Sequence, residues 1–196
     1  MAFVGMRHVV AAKLASHTPG SAPTYSAGMV VGKAITGNLT ITRNSNPLYA
    51  DDVVAEDDNS ITAMSLELGL DDILEDVQAY MGLLEEVTTG TGTTAVTHYL
   101  ENSAPSDEVG VGYIRVRRKN GATTYQVVWI YKTLFSIGDE NSQTKGESIE
   151  WQTPTAQGNA MAIDVGGTSG PSFRLKRNFD TEDAAIEYLD GLAGIE

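Results

Sequence analysis

Residues 109–135 constrain the fold more than any other stretch of the chain, because they specify a long antiparallel β-hairpin. Two runs of alternating apolar and polar residues flank Asn120-Gly121, a pair that favours a two-residue type I′ turn, since both central residues of that turn need positive φ. The turn sets the register, so that Val116 lies opposite Tyr125. One face of the hairpin is then apolar along its length, whereas the other is solvated near the turn and apolar near the base. We therefore expect a protein built on antiparallel sheet.

Two other segments alternate with the same period of two residues. In residues 33–43, Ile35, Leu39 and Ile41 share one face, and in residues 61–70 the apolar face is made mainly of leucines. Each segment predicts a strand with one face in the core and one outside it. The outer faces are neutral to acidic and free of Lys and Arg. They consist of Thr36, Asn38, Thr40 and Thr42 in the first segment, and of Ala63, Ser65 and Glu67 in the second.

An acidic connection, residues 44–60, joins these two strands. It has no evident turn residues at its tip, and loops of this length are typically functional or disordered. We expect it to be disordered in an isolated subunit. Its carboxylates are Asp51, Asp52, Glu56, Asp57 and Asp58, and its apolar residues include Pro47, Leu48, Tyr49, Val53 and Val54.

Two helices are predicted, one after the second strand and one at the end of the sequence. Residues 71–84 have apolar side chains at helical spacing, with Asp72 as the N-cap and Glu75 three residues later, as in a capping box. Residues 179–196 predict a short helix that is capped by Asp180 and ended by Gly191. The apolar stripes are Ile73, Val77, Tyr80, Met81 and Leu84 in the first helix, and Ala185, Ile186 and Leu189 in the second.

Composition narrows the classes of function. The chain has 196 residues, and its 13 basic against 26 acidic residues give a net charge of −13. Since contacts of Lys and Arg with phosphate supply most affinity for nucleic acid, this balance argues against a protein that grips DNA or RNA. Cysteine is absent, and His8, His17 and His98 lack ligand spacing, so we predict no metal site and no cofactor. The polar N-terminus and the lack of a long apolar run predict a soluble chain, made in a cytoplasm and without a membrane partner.

Short motifs that could suggest catalysis fail in their context. Residues 164–168 (DVGGT) resemble a sugar-kinase phosphate loop, but too few residues follow them and no βαβ pattern surrounds them. Ser169 has Pro171 where a nucleophile elbow needs glycine. Residues 90–95 mimic a dinucleotide fingerprint but follow a predicted helix rather than a strand. No catalytic residue is identified, and we expect a protein that is not an enzyme.

Basic residues are concentrated in two clusters. The first lies at the tip of the long hairpin, which we expect to protrude, and the second lies near the C-terminus. The first lacks, at the tip, the interleaved aromatic residues of a nucleic-acid surface. A salt-bridging surface for an acidic segment of a neighbouring copy suits them better. The clusters are Arg115, Arg117, Arg118 and Lys119, and Arg174, Lys176 and Arg177.

Four segments occur in a specific order. They are residues 47–52 (PLYADD), 68–73 (LGLDDI), 125–135 (YQVVWIYKTLF) and 144–155 (TKGESIEWQTPT). In this order and spacing they resemble the major tail proteins of long-tailed, non-contractile bacteriophages. The resemblance covers roughly residues 1–165. Residues 166–196 are interpreted as a C-terminal extension with the short helix, packed on or between subunits.

The resemblance implies a mainly β fold, an antiparallel β-sandwich that is nearly a barrel, with one flanking α-helix. It implies a structural virion protein that forms hexameric rings, which stack into the tail tube through which DNA leaves the capsid. Implied partners are further copies of the chain, the tape measure, tail terminator and distal tail proteins, and double-stranded DNA that passes without specific binding. Residues 44–60 would then bridge successive rings. The location would be the virion tail, assembled in the host bacterial cytoplasm.

A DNA conduit should repel phosphate, because each Lys or Arg that neutralises a phosphate adds affinity and slows sliding. The polar faces of the two strands meet this requirement. We therefore predict that Asn38, Thr40, Thr42, Ser65 and Glu67 face the lumen, with an ordinary solvated outer face as the alternative.

Other classes of protein are also compatible with the sequence. A tail terminator, connector or decoration protein would share the fold class and the absence of catalysis. A β-sandwich ligand-binding module would need a concave aromatic groove, whereas Trp129 and Trp151 are both predicted to lie in the core. A hydrolase is the weakest alternative.

Overall fold

The computed structural model of the protein describes residues 2–137, 144, 153–167 and 170–195. It is mainly β, with 58% of residues in strands, antiparallel sheets and two helices of which one is short. The predicted fold class is therefore confirmed at this level. The strands are β1 (Ala2–Ser16), β2 (Thr24–Gly32), β3 (Ala34–Arg43), β4 (Pro47–Ala50), β5 (Val53–Asp57), β6 (Ile61–Leu70), β7 (Glu85–Thr89), β8 (Val96–Leu100), β9 (Val109–Lys119), β10 (Ala122–Ile137), β11 (Thr155–Ala160) and β12 (Arg174–Phe179); the helices are α1 (Glu75–Tyr80) and α2 (Glu182–Ala193).

Eight of these strands form one antiparallel sheet. Its order is β2-β1-β9-β10-β11-β6-β3, and β12 pairs with the first half of β10, beside β11. The sheet curls so that β3, at one end, approaches the N-terminal part of β1, since a Cβ on Gly37 of β3 would lie 2.5 Å from Sδ of Met6 on β1. Two smaller sheets, β4-β5 and β7-β8, are separate hairpins.

The long hairpin is formed by β9 and β10 in the predicted register, with Val116 opposite Tyr125. Its turn has positive φ at Asn120 (49°) and Gly121 (81°), as a type I′ turn requires. The expected protrusion is wrong, because β1 pairs with β9 as far as Ala2 and supports the hairpin up to its turn.

Two cores lie on opposite sides of the sheet. The first is enclosed by the curled sheet and α1, and includes Leu66, Leu68 and Tyr113. The second lies between the outer face of β9 and β10 and helix α2, and includes Trp129 and Leu189. The two faces of the β9-β10 hairpin thus contribute side chains to both cores.

A register shift in β10 between Ile130 and Thr133 changes which side chains face the first core. Val128 and Ile130 belong to that core before the shift, and Phe135 belongs to it afterwards. As a result, even-numbered residues point inward in the first half of the strand and outward in the second. The second half of β10 pairs with β11, and Ser136 points outward there.

Two details of the predicted strands are wrong. Ile35 is 54% exposed rather than in the core, because the register shifts between Ala34 and Thr36 where β3 begins. The sequence also predicts that Pro154 places a strand end at a sheet edge, which is wrong, because Pro154 precedes β11, and β11 is paired with β10 on one side and β6 on the other. Proline is tolerated there because its carbonyl accepts a hydrogen bond from the N–H of Leu70, at 3.2 Å, and no donor is needed.

Helix α1 is shorter than predicted and lacks the predicted cap. Its N-cap is Leu74, with no side-chain hydrogen bond, so Asp72 and Glu75 form no capping box. The neighbouring Asp71 is engaged instead by the preceding strands, since its Oδ1 accepts from the N–H of Lys33 at 2.8 Å. The helix ends before Gly82, whose φ is 72°. The burial of Ile73, Val77 and Met81 follows the predicted stripe.

Helix α2 also differs from its predicted ends. Thr181, not Asp180, is the N-cap, and its side chain accepts a hydrogen bond from the N–H of Ala184. The helix continues through Gly191 and ends at Gly194, whose φ of 71° is the left-handed conformation typical of a glycine that ends a helix. Ala185 and Leu189 are buried against the sheet, as predicted.

The two glycines give a matched test of this helix end. We expect Gly191→Ala to raise the free energy of unfolding by about 0.5–1 kcal/mol, because alanine lowers the entropy cost of helix and a Cβ there meets no atom within 4 Å. We expect Gly194→Ala to lower the free energy of unfolding by about 1–2 kcal/mol, because the Cβ of an L residue is sterically disfavoured in the left-handed conformation. Urea denaturation of both variants measures the difference. Equal effects of the two changes would contradict this helix end.

Candidate assembly surfaces

Residues 44–60 form a β-hairpin, which we call the acidic arm. Strands β4 and β5 pair with each other, and the turn between them has positive φ at Asp51 (50°) and Asp52 (65°). The expected disorder is therefore wrong. An Asp-Asp pair can occupy a type I′ turn, because Asp tolerates the left-handed conformation, and this was the turn signal that the sequence interpretation missed.

The base of the acidic arm is held by local hydrogen bonds. The N–H of Asn44 donates to the carbonyl of Ser60 at 2.8 Å, and the Asn44 side-chain amide donates to Asp58 at 2.7 Å. The N–H of Asn46 donates to Asp57 at 2.9 Å. The hydrogen bond from Asn44 stabilises the charged form of the Asp58 carboxylate and is the main cause that lowers the pKa of Asp58. The arm is thus fixed where it joins the sheet.

The outer part of the acidic arm is apolar and exposed. A two-stranded hairpin without a packed face is at best marginally stable in water. Single exposed apolar residues are ordinary, but a group of them on one projecting element marks a contact surface. The exposed side chains are Leu48 (61%), Tyr49 (65%), Val53 (63%) and Val54 (54%).

A second hairpin, β7-β8, was not identified from the sequence. It is joined by a 3-10 turn at Gly92–Thr94. Residues 90–95 therefore follow a strand, and the prediction that they follow a helix is wrong, but they lead into an antiparallel strand rather than into the helix of a dinucleotide-binding unit. Val96 and Leu100 are about half exposed on this hairpin. The repeated Thr and Val of residues 87–97 were the strand signal.

The five residues predicted to face the lumen lie on one exposed face of the sheet. Asn38 pairs with Glu67 across β3 and β6, and Thr40 pairs with Ser65 in the next row; Thr42 pairs with Ala63. The Asn38 amide donates to the Glu67 carboxylate at 3.2 Å. We call this surface the polar face. Its side chains are short and, apart from Glu67, uncharged.

The polar face continues over two strands that the sequence interpretation did not include. Gln157 of β11 pairs with Glu67 and with Ser136 of β10, and Asn159 pairs with Ser65. All of these are exposed. The alternation of Ala and Gly with Gln and Asn in residues 156–160 was the available signal, but it carries no large apolar residue. At the margin, Lys132 forms an ion pair with Glu108 at 2.6 Å.

The two basic clusters are not separate surfaces. Register places Arg115 opposite Gln126, which in turn lies opposite Asn178 on β12. Arg174 and Lys176 alternate with Leu175 on β12 and share the face of Asn178. We call the surface formed by Arg115, Arg117, Arg174 and Lys176 the basic face.

The other predicted basic residues lie elsewhere. Arg118 and Lys119 are exposed at the β9-β10 turn. Arg177 points to the opposite face, where its guanidinium lies 4.6 Å from the ring centre of Tyr188 and 5.1 Å from that of Phe179. Its contacts therefore fix α2 on the sheet rather than extend the basic face.

The basic face is crowded with positive charge. The Arg115 guanidinium lies 4.9 Å from the ring centre of Phe3 and 5.5 Å from that of Tyr113. Burial and the charge of Arg115 lower the pKa of Arg174. Burial and the charges of the three arginines of this face lower the pKa of Lys176. The basic face therefore favours an anionic partner.

Several predicted features give no site in the described part of the chain. Residues 164–167 form a turn in which the Asp164 carboxylate accepts from the N–H of Gly166 at 3.0 Å. Thr168, Ser169, Trp151 and most of residues 144–155 lie outside the described residues. Among the residues described, no group of His, Asp or Glu side chains could hold a metal ion. No helix in those ranges has both the length and the apolar character to cross a lipid bilayer.

No protein-family model matches the chain, and no curated protein matches its sequence.

Proposed function

We propose that this protein is a structural subunit that polymerises through ring-shaped oligomers into a tube, as the tail tube of a long-tailed bacteriophage. The resemblance in sequence motivates the comparison with that family. The proposal includes hexameric rings, a bore for double-stranded DNA and a location in the virion tail. It assigns no catalytic role to any residue.

The acidic arm is the observation that carries the proposal. It extends from the strand ends at Arg43 and Ile61, contributes no side chain to either buried core, and exposes four large apolar side chains. Such an element does not stabilise a monomer, because its apolar area stays exposed to water, which is unfavourable in free energy. Contact with a neighbouring copy would remove that area from water.

The ends of the sheet support ring formation. Among the described strands, the order of the main sheet ends with β2 on one side and β3 on the other. Open edges invite pairing with another chain. Contact between the β2 edge of one copy and the β3 edge of the next would be a head-to-tail interface. Such interfaces close into rings or continue as filaments.

The polar face is suited to the wall of a DNA channel. Its exposed polar side chains on β3, β6 and β11 carry amides, hydroxyls and one carboxylate, beside the methyl group of Ala63. The cation at its margin, Lys132, is ion-paired with Glu108, so such a wall makes few counterion-releasing contacts with phosphate and does not retain the duplex. A carboxylate repels phosphates over roughly 8 Å at physiological salt. We therefore assign Asn38, Thr40, Thr42, Ser65 and Glu67 to the lumen.

Electron microscopy of the purified protein tests the proposal. We expect rings or tubes with a central bore, and a reconstruction of the tube should show the polar face around that bore. Rings that do not stack would favour a terminator or connector. A monodisperse monomer at high protein concentration would contradict the proposed function. A bore lined by Lys and Arg would contradict the assignment of the polar face.

A further inference from the structure

We propose that the basic face binds the acidic arm of a second copy of this chain. The inference rests on the proposed assembly and names the two surfaces that meet in it. Both surfaces belong to the same chain but differ from each other. A contact between them is therefore head-to-tail and can be repeated without limit.

Charge complementarity is the first argument. The tip of the acidic arm carries Asp51 and Asp52, with Glu56 further along, and none of these three side chains makes a hydrogen bond or ion pair within the described residues. The four cations of the basic face likewise make no ion pair within 4.0 Å in the part of the chain described. Two uncompensated surfaces of opposite charge on a subunit with net charge −13 offset the repulsion between copies.

The environment of the cations is the second argument. Arg174 and Lys176 are held close to the arginines of β9, and their lowered pKa values reflect both burial and this crowding. Carboxylates of a second copy would reduce the repulsion between these cations, and their oxygens would accept hydrogen bonds from the guanidinium and ammonium N–H groups. Arginine adds geometric specificity, since its planar group binds a carboxylate through two parallel hydrogen bonds.

Apolar surface beside the basic face is the third argument. Phe3 (54%) and Val4 (56%) of β1 are exposed next to Arg117, the residue paired with Phe3. They match the exposed Leu48 and Tyr49 of the acidic arm. An interface with an apolar centre and charged neighbours holds a partner better than exposed ion pairs alone, which contribute little.

Cross-linking provides a direct test, because the chain has no cysteine. Asp52→Cys and Lys176→Cys are prepared as separate chains, mixed under assembly conditions and treated with a short bis-maleimide. We expect a 1:1 cross-linked dimer from the mixture. As each chain has one cysteine, only contact between two copies can give the mixed product. Asp183→Cys, on the exposed first turn of α2, replaces Asp52→Cys in the control and should give at most background.

Charge variants test the same contact by assembly. We expect Arg174→Glu/Lys176→Glu to raise the protein concentration for half-maximal assembly at least tenfold, because it places like charges opposite the arm. Arg118→Glu/Lys119→Glu makes the same change in net charge outside the basic face and should have a much smaller effect. Asp51→Asn/Asp52→Gly removes the arm charges while retaining a type I′ turn. The variant that combines both changes should need no higher protein concentration for half-maximal assembly than the basic-face variant alone, because the effects of residues in contact are not additive.

The outcomes separate the two proposals. A wild-type protein that forms no rings or tubes contradicts the proposed function. Wild-type tubes together with normal assembly of Arg174→Glu/Lys176→Glu and no specific cross-link overturn the inference. In that case the basic residues serve only to protect the open edge of β12, as charged residues often do. Loss of duplex DNA binding by this variant, with assembly unchanged, would also overturn it and favour a nucleic-acid surface.

Discussion

Deletion of residues 46–57 is expected to abolish tube formation while leaving a folded subunit. The deleted hairpin adds no side chain to either buried core, so the free energy of unfolding should change little. The remaining ends already lie together, because the N–H of Asn44 donates to the carbonyl of Ser60 at 2.8 Å. Loss of the apolar tip and of Asp51, Asp52 and Glu56 removes one partner of the proposed contact. Electron microscopy and sedimentation measure assembly.

A melting curve and a circular dichroism spectrum provide the control for this deletion. Both should match the wild type in its unassembled form, which shows that the defect lies in association and not in folding. A less severe variant, Leu48→Ser/Val54→Ser, keeps the length of the acidic arm and should weaken assembly without abolishing it, since both side chains are more than half exposed. Normal tubes from the deleted chain would refute a role of the acidic arm in assembly.

Trp129→Ala is expected to lower the free energy of unfolding by about 3–5 kcal/mol, the usual range for removal of a buried aromatic side chain. Trp129 is 0% exposed and lies at the centre of the second core. Its ring meets that of Tyr25 edge to face, at a centroid distance of 4.9 Å. The loss is a large part of the 5–15 kcal/mol that stabilises a typical domain. Chemical denaturation measures it, with a fall in melting temperature of about 10 °C.

An exposed residue supplies the control for Trp129. Ile35→Ala removes an apolar side chain that is 54% exposed, and such surface changes are usually within about 0.5 kcal/mol. A comparable loss from both variants would mean that Trp129 does not anchor α2 to the sheet. Hydrogen exchange of the α2 amides gives a second measurement, because a loosened second core should expose that helix first.

Features set by neighbouring residues could be predicted from the sequence. The Asn120-Gly121 turn sets the pairing of β9 and β10, because the turn type determines the register of a short hairpin. Alternation identified the buried face of β6, where Met64, Leu66 and Leu68 face the first core. It also identified the exposed face that carries Ser65 and Glu67.

Helix and strand ends were less predictable, because alternative residues can fill the same local role. Thr181 and Asp180 are both good N-caps by residue type, and the folded chain uses Thr181. The Asp51-Asp52 turn lacks glycine, so the acidic arm resembled an unstructured loop. Strand β11 has Ala and Gly on its buried face, where the large side chain of Phe135 leaves little space: a Cβ on Gly158 would lie 2.9 Å from the Phe135 ring.

The sequence alone therefore determined the mainly β character, the long hairpin, the polar face of β3 and β6, and the absence of cysteine chemistry, because these depend on composition or on residues close together in the chain. Only the tertiary structure decided that β12 pairs with β10 and joins two basic clusters into the basic face. Only the tertiary structure placed α2 over Trp129, and only the register shift in β10 turned Ser136 toward the polar face. These arrangements depend on contacts between residues far apart in the sequence. Such contacts are selected by the total burial and backbone pairing of the folded chain, and no local pattern encodes them.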